Sequence, residues 1–351
     1  MNRSFYLDLA REGLRMPIGT DMVLHEKADL EARLLDGRAL GEVVVEAAHR
    51  YRTPLAFPLM DLRVEKQDLL LMLGVPDADI DTYHFHAIPG GALDTVKSKM
   101  SAAPTPRMRA NLDSIRHVAA QGGGMVPVGM AIGPFSLMTK LLADPIMGVY
   151  LAGDDPATAD PEAKLVLDTL EIATLIVQRA ITTQVQAGAK AVCLCEPAAN
   201  KVYISPMQMD AGSDVFDRLV MRPNRRVKQT IADLGADLIF HDCGELTEPM
   251  LRAFNELDPA VLSLGSSRTL WDDAPLIKPD TVLFGNLPSK KFYSDQEITV
   301  AQVKDRSREL VQAMRRKGHP FILGSECDVL SVPGAHDTIA AKVEAMLTCG
   351  A

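Results

Sequence analysis

A single (β/α)8 barrel of the α/β class is the fold this sequence predicts, and three observations predict it. Short apolar runs recur along the chain, each running straight into small, polar or ionisable residues, and segments of helical length separate them. Runs of that kind suit strands buried on both faces, and parallel strands need long crossovers between them, so the pattern is one of repeated parallel β-α units. Residues capable of chemistry sit just past the strand ends, where such a barrel carries its active site, whereas the glycine fingerprint of a dinucleotide-binding sheet is missing.

The elements follow in order. Residues 1–50 read as an N-terminal helical extension, because Leu40, Val43, Val44 and Ala47 fall at the i, i+3, i+4 and i+7 positions of an amphipathic helix within 29–50. Strands are then expected at 55–60 before Asp61, at 126–132 before Gly133-Pro134, and at 189–195 before Glu196. Others are expected at 238–240 before His241-Asp242-Cys243-Gly244, at 261–264 before Gly265, at 281–284 before Gly285-Asn286, and at 321–323 before Gly324. The eighth strand needed to close a barrel is placed near 83–88. A long helix precedes residue 189: Asp160 caps it, Pro161 suits its first turn, Val166, Leu170, Ala173 and Val177 form its apolar face, and Gly188 closes it. Segments 89–124 and 150–160, rich in Gly, Pro, Ala and charge, become insertions or lids of one domain spanning 1–351.

Bulk properties narrow the function. A chain of 351 residues with 47% hydrophobic content buries most of its apolar surface without disulfide staples. Its net charge of −9 argues against a nucleic-acid partner. No run of about 18 uncharged apolar residues suggests a membrane span, and the start, Met1-Asn2-Arg3-Ser4-Phe5-Tyr6-Leu7-Asp8, has no apolar leader region, so a cytoplasmic protein is expected. In that compartment Cys193, Cys195, Cys243, Cys327 and Cys349 are read as reduced thiols or metal ligands.

The chemistry concentrates at His241-Asp242-Cys243. Alternation along an extended segment puts His241 and Cys243 on the same side, and in a barrel the end of a strand distant in sequence converges on the same mouth, which brings in Cys327. One imidazole and two thiols suit zinc, and three protein ligands leave a position for substrate. Glu196, just past a strand, is a candidate fourth ligand and catalytic carboxylate, or else a helix cap. Asp61 is a candidate for orienting substrate or a metal-bound histidine, or else a partner of loop amides. Cys193 and Cys195 share one strand and read as core thiols; His84 and His86 lack nearby thiol or carboxylate partners and read as structural.

These residues resemble the uroporphyrinogen-decarboxylase superfamily, and within it the zinc branch of methylcobamide:coenzyme M and related corrinoid methyltransferases. The matching pieces are Phe57-Pro58-Leu59-Met60-Asp61-Leu62 with Val64-Glu65, Gly133-Pro134-Phe135, Glu196-Pro197 followed by Ile204-Ser205-Pro206, His241-Asp242-Cys243-Gly244, Gly285-Asn286-Leu287, and Gly324 through Cys327. The resemblance implies that His241, Cys243 and Cys327 hold Zn2+, that Asp61 and Glu196 are catalytic, that Ser205 and Asn286 bind substrate, and that a methyl group passes between a methylated corrinoid (a methylcobamide) and a thiol or other small acceptor. No Asp-x-His-x-x-Gly segment is present, so the corrinoid is expected on a partner protein; a homodimer is one admissible assembly. Glu196-Pro197 stands where an Asp-Pro is expected, and Leu287-Pro288 replaces an acidic residue before proline, which leaves the acceptor open. Two alternatives remain. A metal-free decarboxylase would share the barrel and the Asp61 region, but Arg15-Met16-Pro17-Ile18-Gly19 stands where its arginine-rich segment is expected. A non-catalytic zinc-binding or corrinoid-binding protein would need a saturated ligand set.

Overall fold

The computed structural model describes residues 3–154 and 160–349. Its strands are β1 (Arg15–Ile18), β2 (Leu55–Ala56), β3 (Val126–Ile132), β4 (Ala191–Cys195), β5 (Asp237–Asp242), β6 (Val261–Leu264), β7 (Val282–Leu287) and β8 (Phe321–Asp328). All neighbours pair in parallel, in the order β1-β8-β7-β6-β5-β4-β3-β2, and the sheet curls into a (β/α)8 barrel. Period-two alternation sorts the side chains. Met16, Leu55, Val128, Cys193, Ile239, Val261, Phe284 and Ile322, one from each strand, share a single interior cluster. Their neighbours Phe240, Leu262, Leu283 and Leu323 belong to the outer cluster under the helices.

The strand expected near 83–88 is not the eighth. That segment contributes one isolated bridge, Phe85 to Leu142, and β1 takes the place, with Arg15 opposite Leu323 and Met16 opposite Gly324. The first 50 residues are therefore not purely a helical extension, since they supply a barrel stave. β1 is short and contains Arg15 and Pro17, so it lacks the apolar run that marks the other strands. Its proline is tolerated because no ladder joins β1 to β2 among the described residues. That seam is bridged by Thr20, whose hydroxyl donates to the Phe57 carbonyl at 2.6 Å.

The amphipathic stretch 29–50 divides into helices Leu30–Leu35 and Gly37–Arg50. The break falls at Asp36, whose carboxylate accepts from the amides of Arg38 and Ala39 and so caps the second helix. Helix Pro161–Gln186 runs as expected, with Asp160 accepting from Glu162 and Ala163. Segment 89–124, expected as an insertion or lid, instead contains helix Pro106–Gln121, which packs tightly on helix Gly37–Arg50. The approach depends on glycine: a Cβ at position 41 would lie 2.7 Å from His117 Cβ. Of segment 150–160, residues 150–154 finish helix Pro145–Asp154 and 155–159 lie outside the described residues. Among the described residues no helix is long and apolar enough to cross a membrane.

Candidate metal centre

The strand expected at 238–240 runs on to Asp242, so His241 lies within the ladder, opposite Cys195 on β4 and Ser263 on β6. Because Ile239 points into the barrel, alternation sends His241 inward as well. On β8 the register shifts. Met16 pairs with Gly324 and Ile18 with Asp328, so β8 advances four residues while β1 advances two, and the resulting bulge carries Cys327.

These placements bring the three predicted ligands together, with ligand atoms all within 4.8 Å of one another. The sulfurs of Cys243 and Cys327 lie 3.6 Å apart, within hydrogen-bond distance of each other. Two sulfurs bound to one tetrahedral zinc, each at about 2.3 Å, would be separated by about 3.8 Å. His241 is 1% exposed; its Nδ1 meets the Ser263 hydroxyl at 2.8 Å, while the buried Nε2 has no hydrogen-bond partner. With Nδ1–H donating to Ser263, Nε2 presents a lone pair, the arrangement that fixes the tautomer of a metal-ligating histidine. The donor set fits zinc in softness, spacing and unsatisfied valence.

Several neighbours were not singled out from the sequence. Ser263 sits inside a strand, and only its register opposite His241 reveals its part. Met60, in the stretch after β2, brings its sulfur within 3.8 Å of Cys327. Glu326, on the bulge, accepts from the Ser266 amide at 3.0 Å. Lys290, in the turn Ser289–Lys291 after β7, hydrogen-bonds Cys243; burial pulls its ammonium down, but the facing Cys243, Cys327 and Glu326 outweigh this and hold it above its ordinary value. The thiols diverge. The hydrogen bond shared with Cys327, then the neighbouring imidazole of His241 and the charge of Lys290, pull Cys243 well below the usual thiol range against burial. The same hydrogen bond, burial and the adjacent Cys243 push Cys327 up. A cation facing the thiols and a hydrogen-bonded imidazole make this an environment for thiolate.

The other predicted site residues lie outside this group. Glu196 is fully buried, and its carboxylate accepts from the amides of Phe135 (3.1 Å) and Ser136 (2.8 Å) and from Asn224 Nδ2 (2.8 Å). It anchors the start of helix Pro134–Leu141, and only glycine fits beside it, since a Cβ at 133 would lie 2.1 Å from its carboxyl carbon. Asp61 is paired with Arg107 at 3.0 Å and also accepts from the Arg63 amide. Ser205 caps helix Pro206–Asp210. Asn286 spends its amide on the carbonyls of Gly265 and Arg268, both at 2.8 Å, and so fixes the loop after β6. Cys193 and Cys195 are buried on β4 with sulfurs 3.8 Å apart, as expected of core thiols.

With this geometry in place, the comparisons with known proteins agree on the fold. No curated protein sequence matches the chain. A methyltransferase from Methanosarcina mazei is similar in structure, with a TM-score of 0.66 at 14% identity over 99% of this chain and 98% of its own. Such identity speaks to the barrel alone. The uroporphyrinogen decarboxylase (URO-D) family matches residues 15–348, from the first barrel strand to the last turn of the C-terminal helix, and the chain belongs to that family.

Proposed function

We propose that the chain is a zinc-dependent methyltransferase, moving a methyl group between a methylated corrinoid on a partner protein and a thiol or other small acceptor. The observation that carries this reading is the buried, unpartnered Nε2 of His241 beside two half-buried sulfurs at the mouth of the barrel. Family membership and the methyltransferase of similar fold support it.

His241, Cys243 and Cys327 would hold zinc, which would supply a Lewis acid able to keep a thiol deprotonated at neutral pH. Ser263 holds the imidazole in the tautomer that directs Nε2 at the sulfurs. Lys290 sets a positive charge beside the paired thiols and so offsets the negative charge gathered there. The Asp61–Arg107 pair supplies polar groups for orienting the acceptor, and Ser205 and Asn286 shape the loops around it. On this reading the enzyme works in the cytoplasm, in one-carbon metabolism.

Elemental analysis tests the proposal, with wild type beside Cys243→Ala and Cys327→Ala. About one zinc per chain is expected, lost in both variants, with methyl transfer from methylcobalamin to simple thiols falling at least about a thousandfold. Reduced wild-type protein that takes up no zinc overturns it and leaves the metal-free decarboxylase as the reading of this barrel.

A further inference from the structure

A cavity of about 470 Å3 opens among the N-terminal helix Arg3–Arg11, the end of helix Val300–Lys317 and the starts of β1 and β8. It lies at the end of the barrel away from the thiols. Phe321 lines it and Cys327 lies six residues further along the same strand, a separation of about 20 Å at about 3.3 Å per residue. The cavity wall is apolar, built from Leu7, Leu14, Met314, Phe321 and Leu323. Its polar groups are cationic or neutral: Arg11, Arg15, Arg315 and His319, with no aspartate or glutamate among the lining residues.

Three guanidiniums around a carboxylate-free cavity run against the character of a chain with a net charge of −9. Arg11 is taken up by Asp8 at 2.6 Å, and His319 by the Thr281 carbonyl at 3.0 Å. Arg15 gives one N–H to the Leu347 carbonyl at 3.2 Å and has no carboxylate partner, and Arg315 has none either, among the described residues. Arg315 alone is accounted for by its place in the last turn of its helix, where a cation complements the helix dipole. That explanation does not reach Arg15, which sits on a strand and lines the same cavity.

We propose that this cavity binds a small carboxylate with an apolar body, its head on Arg15 and Arg315 and its body against Leu14 and Phe321. The volume falls in the ordinary range for small-molecule sites, and the guanidinium fork matches a carboxylate in shape as well as charge. The site is independent of the metal centre and of the function proposed for it.

Calorimetric titration of the full chain tests this, with decanoate as the probe and decan-1-ol and decyltrimethylammonium as controls. Decanoate is expected to saturate one site per chain and to bind at least about tenfold tighter than decan-1-ol, as loss of one charge-assisted contact implies. Arg315→Gln, at an exposed position that leaves the fold intact, weakens decanoate, and Arg15→Gln with Arg315→Gln weakens it further while decan-1-ol is unaffected. Cys243→Ala leaves decanoate binding unchanged. Equal affinity for acid and alcohol, parental decanoate binding in the arginine variants, or no saturable binding overturns the proposal.

Discussion

Glu196 and His241 lie one strand apart near the same end of the barrel, both buried and both polar, and they differ in what is left over. Every oxygen of Glu196 is used by amides of Phe135 and Ser136 and by Asn224. His241 has one nitrogen on Ser263 and one facing sulfur with no partner. Burying a polar atom without a partner costs a folded protein free energy, so the complete set reads as architecture and the incomplete one as a place that something from outside completes.

Three substitutions break or sharpen that contrast. The largest effect is expected for Glu196→Ala, which strands two amides and the Asn224 side chain; a loss of about 3 kcal/mol or more in urea unfolding should leave zinc stoichiometry intact. A stable variant that loses zinc would reverse the two roles. Ser263→Ala is expected to do the opposite, weakening zinc about 10- to 100-fold in chelator competition while metal-free stability changes by less than about 1 kcal/mol. Unaltered zinc affinity would show that His241 needs no help from Ser263.

Glu65 is the intermediate case, buried with one unpartnered oxygen and pushed up to about 8 by desolvation, with Asp61 and Asp68 adding to the rise. Between the ordinary carboxyl value and about 8 the folded chain holds a proton that the unfolded chain has released. Stability from this group is therefore fully present at low pH and lost as pH rises through that window. Glu65→Gln removes the titration. Relative to wild type, the variant should gain stability with rising pH, by about 1.4 kcal/mol for each pH unit within the window. Parallel profiles of melting temperature against pH would show that Glu65 titrates normally.

The three candidate ligands were legible through alternation carried past the end of β5 and convergence of strand ends in a barrel, together with the family resemblance of His241-Asp242-Cys243-Gly244 and the late Cys327. The sequence did not carry β1, since Arg15-Met16-Pro17-Ile18 lacks the apolar run on which strand detection rests. Segment 83–88 had the right texture but only bridges Leu142. Ser263 and Lys290 stayed hidden for a related reason. A serine inside a strand and a lysine in a surface turn are common, and only register and proximity give them meaning. Glu196 was legible as a strand-end carboxylate, but the donors that occupy it come from Phe135 and Ser136, far along the chain.

The bulge on β8 gives the centre a mechanical asymmetry. His241 rides on a rung tied to both neighbouring strands, with Cys243 immediately beyond it, whereas Cys327 hangs from slack in the β1–β8 register. Compliance is thus concentrated on one side. A larger or smaller ion, or an added or deleted residue in 325–327, would be absorbed by travel of one thiol, leaving the imidazole and the other thiol as the fixed jaw against which Cys327 closes.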